Sequence, residues 1–260
     1  TLHAMIQESN ENKIVALIPA RLESSRFPGK LLKKLGHKSV ILHVHDNMVA
    51  TGLFDHVAVV CNHRDIYDDI IRGGGSAYMS KKEHENGTSR ISEIALELDY
   101  PIVFNVQGDE PFVNESILQK LINIFKADKD KNIDIVSPMT ILSNEQEIQN
   151  PNNVKVVTDN DRNAMYFSRS PIPYHRNQSA PRNCFKHIGI YGYRKEALEK
   201  IQKLPYSNLE DQELIECLRY LDYGMKIKMA ETPSQGVSID TPEDFEKAIE
   251  FYKILQSGIK

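Results

Sequence analysis

Apolar residues fall along this chain in short, unbroken runs. Ile14-Val15-Ala16-Leu17-Ile18 comes first, and 57–60 and 102–104 follow at wide intervals, while 133–139, interrupted by Asp134 and Ser137, reads as a further strand. The first run does not alternate with polar residues, the mark of a strand buried on both faces, as in a parallel sheet. Between the runs, apolar positions recur at helical spacing over 40–50 and 65–72, from about Thr88 to Leu98, and over 115–127. Residues 76–79 read as a further short strand. Strands alternating with helices predict an α/β architecture.

From Asn150 to Tyr193 the pattern changes. Residues 154–157 and 165–169 read as antiparallel strands, with Pro171, Pro173 and Pro181 breaking the loops. Residues 186–194 read as one more strand. Residues 209–221 then predict a single helix whose core face is Leu214, Ile215, Leu218 and Leu221. Glu210 and Glu213 share another side of it, with no cation four residues on. They are either a solvated acidic face or acceptors for a sugar. The last helix opens on Thr241-Pro242-Glu243-Asp244, which reads as N-cap, N1 proline and capping-box partner.

Polar residues at the ends of the apolar runs supply the candidate chemistry. The run at 102–104 leads into Asn105-Val106-Gln107-Gly108-Asp109-Glu110-Pro111. Open α/β sheets bind ligands at such strand ends, and Asp109 reads as a metal-binding carboxylate. Asp240 also follows an apolar stretch and is not used by the helix cap behind it, so it is the expected partner of Asp109 on a shared Mg²⁺. The loop after the first run, Ala20 to Lys30, holds Arg21, Arg26, Lys30, two serines and a Pro-Gly turn. Its cations suit a triphosphate, although it is neither a Walker A loop nor a dinucleotide fingerprint. His43-x-His45 has a metal-pair look, but residues two apart on a helix face different ways. Gly73-Gly74-Gly75 follows a helix and reads as its C-cap and turn.

Composition narrows the choice. A chain of 260 residues, 40% hydrophobic and 26% charged, suits one large α/β domain or a core with a smaller appendage. No apolar run approaches the ~20 residues a membrane helix needs. The first twelve residues carry no signal-peptide core, so the expected compartment is the cytoplasm. Cys61, Cys184 and Cys217 are far apart and read as reduced thiols. A net charge of −4 without a basic block argues against nucleic acid.

In order along the chain, several stretches resemble the CMP-Kdo synthetases (3-deoxy-manno-octulosonate cytidylyltransferases). They are Ile18-Pro19-Ala20-Arg21, Ser25-Arg26-Phe27-Pro28-Gly29-Lys30, Asn105 to Pro111, Val154-Lys155-Val156-Val157 and Tyr166-Phe167-Ser168-Arg169. His187 to Arg194, Leu209-Glu210-x-x-Glu213 and Asp240 to Asp244 complete the set. The resemblance implies a three-layer nucleotide-diphospho-sugar transferase (Rossmann-like) fold. Its sheet would be mixed and mostly parallel, with a smaller antiparallel insertion for sugar binding and dimerisation. The implied reaction joins CTP and Kdo into CMP-Kdo and pyrophosphate, with Mg²⁺, in a homodimer that serves lipopolysaccharide synthesis. The nearest alternative is the same chemistry on 8-amino-Kdo or another 2-keto-3-deoxy sugar acid. A non-catalytic nucleotide-sugar binding protein is a reading of another class.

The resemblance also distributes roles. Arg21, Lys30, Asp109 and Asp240 form the catalytic set, and the two aspartates hold the metal. Arg21, Ser25, Arg26 and Lys30 lie along the triphosphate, and Ala20, Asn86, Gly87, Thr88 and Arg90 lie on the cytidine side. Gln107, Arg169, His187, Tyr191, Glu210 and Glu213 would surround the Kdo, with Arg169 on its carboxylate. The expected segments are a flexible 1–12, a nucleotide core over 13–150, the insertion over 151–205, and 206–260 completing the core.

Overall fold

The structure is a computed structural model that describes residues 13–24, 26–177, 179–233 and 237–258. The expected flexible segment at 1–12 lies outside the described residues, and so does Ser25. The chain forms two compact units, Thr1–Glu115 with Gln235–Lys260, and Ser116–Ser234.

The first unit is built on β1 (Ile14–Ala20), in which all seven residues are buried. A two-strand antiparallel ribbon follows, β2 (Lys34–Leu35) with β3 (Lys38–Ser39). Then come α1 (Val40–Ala50), β4 (His56–Cys61), α2 (Arg64–Arg72), β5 (Ala77–Met79), α3 (Gly87–Ala95) and β6 (Ile102–Val106). The strand order is β5-β4-β1-β6, every pair parallel. β1 thus has a neighbour on each edge, and α1 and α3 pack against it. That explains a run with no polar position. Burying seven residues of this kind excludes enough apolar surface to make β1 the centre of the unit's core. The helices start on local signals. Ser39 caps α1, His63 caps α2, and Asn86 caps α3 by accepting from the Ser89 amide at 2.8 Å. Gly73 is the C-cap of α2, and Gly74, at φ +82°, makes the turn that follows.

The second unit takes shape after α4 (Glu115–Ala127) around β7 (Ile135–Ile141). Its other elements are α5 (Glu145–Gln149), β8 (Lys155–Thr158), β9 (Ala164–Ser168), β10 (Phe185–His187), β11 (Ile190–Arg194), α6 (Lys195–Ile201), α7 (Asn208–Glu213), α8 (Glu216–Asp222) and β12 (Ile227–Glu231). β12 pairs parallel to β7, whose other edge takes β11 and then β10 antiparallel. β8 joins β10, and β9 joins β8, both antiparallel as expected. Taken over both units, pairing is mixed. The chain crosses between units at Glu115/Ser116 and Ser234/Gln235, whereas the sequence reading drew boundaries after 150 and 205. The reason is that β7 and β12 pair with the strands of the 151–205 segment or with each other.

Two expected elements are split. The strand over 186–194 breaks into β10 and β11, and the register slips by two residues between the Met139–His187 and Val136–Gly192 pairs. Pro138 stands opposite the break. It has no N–H to give, so the Ile188 amide bonds to Pro138 O at 3.0 Å but Pro138 returns no ladder bond. The helix over 209–221 breaks at Leu214, which sits at φ +52° and is exposed instead of lying in the core face. The cause is Arg169, just past β9. Its Nε donates to Glu213 O at 2.7 Å and its Nη2 to Leu214 O at 3.3 Å, taking carbonyls the helix would have used.

The chain returns to the first unit as α9 (Pro242–Ser257). Its start has the expected capping box, with Thr241 accepting from the Asp244 amide and Asp244 accepting from that of Thr241. No described helix is long and apolar enough to cross a membrane.

Candidate active site

At its carboxyl end β1 stops at Ala20 and the chain enters the Arg21–Gly29 loop. Gly29 takes a left-handed φ of +67° and starts a single 3₁₀ turn, Lys30–Leu32. A residue with a Cβ is strained at that angle. The turn aims Lys30 back across the strand ends. β6 ends beside it and runs into Gln107-Gly108-Asp109. A Cβ on Gly108 would lie 2.9 Å from Ile41 Cδ1 and 3.1 Å from Pro19 O, so glycine is what lets this segment lie against β1. The third segment, Val237–Asp240, is pinned by the Ile239 amide, which donates to Asp109 O at 3.0 Å. That backbone bond sets Asp240 next to Asp109.

The three segments meet at one ammonium. Lys30 Nζ donates to Asp109 Oδ2 at 2.5 Å, Asp240 Oδ1 at 3.0 Å and Ile239 O at 2.8 Å. Burial works against the Lys30 charge, but the two carboxylates outweigh it and hold the ammonium above the usual lysine value. Arg26 reaches Asp240 from the solvent side at 3.2 Å. Around this centre is a cavity of about 330 Å³ lined by Arg21, Arg26, Lys30, Asn86, Gly87, Arg90, Gln107, Gly108, Asp109 and Asp240, among others. Its size suits a small ligand.

Arg90 is 5% exposed, and both burial and the Arg21 guanidinium disfavour its charge. A buried cation beside another cation is a place where an anion would be welcome. The Asn86 side chain is already spent on capping α3. Thr88 is buried and accepts from Asn105 Nδ2 at 3.5 Å. Ala20 is buried at the strand end. Gln107 donates to Asn105 Oδ1 at 3.1 Å, and its other amide atom lies near Gly87.

Sequence reasoning missed Glu23, Ser24, His84 and Glu85 in the cavity wall. His84 Nε2 meets Glu93 Oε2 at 2.6 Å, and Glu93 Oε1 accepts from the Lys81 amide at 2.8 Å, so α3 clamps the 81–84 loop. Nothing in the local spacing announces that pair. His43 and His45 turn to different partners, Leu35 O and Asp46.

The expected sugar-side residues other than Gln107 lie in the second unit. Glu213 accepts from Ser168 Oγ at 2.6 Å and from the Arg169 amide at 2.9 Å. Glu210 is buried and pairs with Arg219 Nε at 3.2 Å. The absence of a cation four residues on had left both glutamates looking spare. Their partners come from β9 and, for Glu210, from nine residues further along the chain. Arg169 also donates to Pro151 O at 3.1 Å. Among the described residues, three of the five guanidinium N–H groups are thus engaged, and two remain. His187 packs between Phe167 and Tyr191, with ring centroids 4.9 and 5.4 Å away. Burial raises the Tyr191 phenol well above its ordinary value, with Cys217 adding to the effect.

Comparison with known proteins supplies the context. A family model described as "Cytidylyltransferase" matches residues 15–227. The chain is 51% identical over 243 residues to the 3-deoxy-manno-octulosonate cytidylyltransferase of Christiangramia forsetii, covering 94% of this chain and 98% of that protein. It is 52% identical over 236 residues to the protein of that name from Flavobacterium johnsoniae, covering 91% and 97%. Among solved structures it is similar to CMP:2-keto-3-deoxy-manno-octonic acid synthetase complexed with CTP. There the identity is 33% and the TM-score 0.88, over 95% of this chain and 100% of that one.

Proposed function

The chain belongs to the cytidylyltransferase family, among the 3-deoxy-manno-octulosonate cytidylyltransferases, and on that footing we propose that it makes CMP-Kdo and pyrophosphate from CTP and Kdo. The observation that carries the reading is the cavity at the parallel strand ends, where Arg21, Arg26, Lys30 and Arg90 surround Asp109 and Asp240. Four cations match the charge of a triphosphate, and guanidinium forks pair with its oxygens.

The donor set fits a hard divalent cation. Asp109 and Asp240 place carboxylate oxygens 2.5 and 3.0 Å from one ammonium, and Mg²⁺ typically takes one or two carboxylates together with substrate phosphates. These two residues would hold Mg²⁺, which when bound would neutralise charge at the α-phosphate and lower the pKa of the attacking hydroxyl.

The remaining work falls to the chain's own groups. Arg21, Arg26 and Lys30 orient the triphosphate so that the sugar 2-hydroxyl meets the α-phosphorus in line with the leaving pyrophosphate. The new P–O bond forms as the bond to the β-phosphate bridge breaks. No side chain acts as a nucleophile, so catalysis is positioning and charge neutralisation. On the acceptor side, the two remaining Arg169 donors suit the sugar carboxylate, and His187 and Tyr191 suit its hydroxyls. The same reading makes the protein a cytoplasmic homodimer that supplies activated Kdo for lipopolysaccharide.

Pyrophosphate release with CTP, Mg²⁺ and a panel of keto-deoxy sugars tests the proposal. Turnover with Kdo is expected. Turnover with 8-amino-Kdo alone would reassign the acceptor, and no turnover with any sugar would leave only a nucleotide-binding protein.

A further inference from the structure

The register slip between β10 and β11 turns the carbonyls of Ile188 and Ile190 onto one hydroxyl, that of Ser137. Ser137 sits on β7 and is fully buried. Its Oγ lies 2.7 Å from Ile190 O, 3.2 Å from Ile188 O and 2.9 Å from His187 Nε2. A serine hydroxyl carries one proton, and carbonyl oxygens only accept. Were that proton turned toward His187, Oγ would set its lone pairs against two carbonyl oxygens in a site closed to water. Such an unmet acceptor pair is costly when buried. The proton therefore goes to a carbonyl, and Oγ accepts from His187.

This fixes the imidazole. His187 carries its proton on Nε2, which leaves Nδ1 as a bare acceptor. Burial acts in the same sense, pushing the His187 pKa down to about 3, so the ring stays neutral at ordinary pH. Phe167 and Tyr191 hold the ring from its sides. Among the described residues, the hydrogen bond that His187 makes through its ring uses Nε2 and not Nδ1.

We propose that Ser137 is a positioning residue that locks His187 as a neutral hydrogen-bond acceptor, so that Nδ1 selects a hydroxyl of the acceptor sugar and not its carboxylate or a phosphate. A neutral ring with its lone pair on Nδ1 attracts an O–H and repels an anionic oxygen. This rests on the reading that His187 faces the acceptor sugar, and it assigns the chemistry of that contact.

Long-range proton–nitrogen NMR of ¹⁵N-labelled protein reads the tautomer directly, with His187 assigned by its loss in His187→Gln. The expected wild-type pattern is Nε2–H across neutral pH, with the Nδ1 signal moving when Kdo is added. Ser137→Ala should mix the two tautomers. It should also raise the KM for Kdo about fivefold, the worth of one neutral hydrogen bond, while the KM for CTP holds. An Nδ1–H or imidazolium pattern in the wild type overturns the proposal, as does a Ser137→Ala protein with unchanged tautomer and unchanged KM. If that variant does not fold, the wild-type spectra decide alone. His187→Ala separates the underlying reading. An unchanged KM for Kdo there, beside an Nε2–H wild type, removes the sugar contact and with it the acceptor role, while the serine lock itself remains.

Discussion

The two units treat their charged side chains in opposite ways. In the first, Lys30, Asp109 and Asp240 come from three distant segments and converge at the rim of a cavity, with Arg26 reaching in from solvent. In the second, several charged groups are drawn inward and paired. Lys155 is fully buried and donates to the carbonyls of Asn150 and Arg169, Glu210 meets Arg219, and Glu213 holds the end of β9. A charge with no local partner therefore has two fates. Asp240, left over by its helix cap, went to the cavity. Glu210 and Glu213, left over by their helix, went into the framework.

On that contrast, removing a charge at the first unit's cavity should cost activity, and removing a buried framework charge such as Glu210 in the second should cost stability. The largest effect is expected for Asp109→Asn. Turnover should fall by at least about two orders of magnitude, because the proposed metal and phosphate site loses a carboxylate, while circular dichroism and melting stay near wild type. Wild-type-like turnover would take Asp109 out of the site. Glu210→Ala should instead cost about 1–3 kcal/mol in urea unfolding, because the buried Arg219 loses its closer carboxylate and keeps only Glu216 at 3.5 Å. A loss below about 1 kcal/mol would mean the pair is relaxed by water and not part of the framework.

Protonation offers a smaller test. Burial lowers the pKa of His187 to about 3, and it lowers those of His43 and His56 as well. The unfolded chain takes up these protons near the ordinary histidine value while the folded chain refuses them. Stability is thus complete above that value and falls as pH drops through it, toward pH 3 for His187. The slope is up to about 1.4 kcal/mol per pH unit for that residue. A urea midpoint that stays level from about pH 7.5 to about pH 5.5 would contradict the buried neutral ring. The smallest effect belongs to Leu214, held left-handed and 69% exposed. Leu214→Gly should gain up to about 1 kcal/mol by relieving that angle. A loss would show that the exposed leucine has a packing role.

Much of this was legible in the sequence. The unbroken apolar runs gave the parallel strands, because burial on both faces leaves no polar register. The start of α9 and the spare position of Asp240 followed from capping chemistry. These are short-range rules, and they held where the structure is made by short-range forces. What stayed hidden depends on partners far along the chain. Pro138 splits a strand that reads as continuous, since its missing N–H matters only once β7 is its neighbour. Arg169 ends a helix that begins 39 positions later, by taking its carbonyls. The His84–Glu93 clamp and the Ser137 hydroxyl carry no motif. Their meaning is purely geometric.

The Lys30–Asp240 contact spans 210 positions and closes a centre whose other carboxylate arrived with Asp109. A ribosome adds about 5–20 residues per second, so Asp240 emerges on the order of ten seconds after Asp109. Through that interval a nascent chain holds Lys30 and Asp109 but not Asp240, while Ser116–Ser234 forms a unit of its own. The centre is therefore among the last parts of the molecule that synthesis can complete, since it closes only once the segment carrying Asp240 has been made.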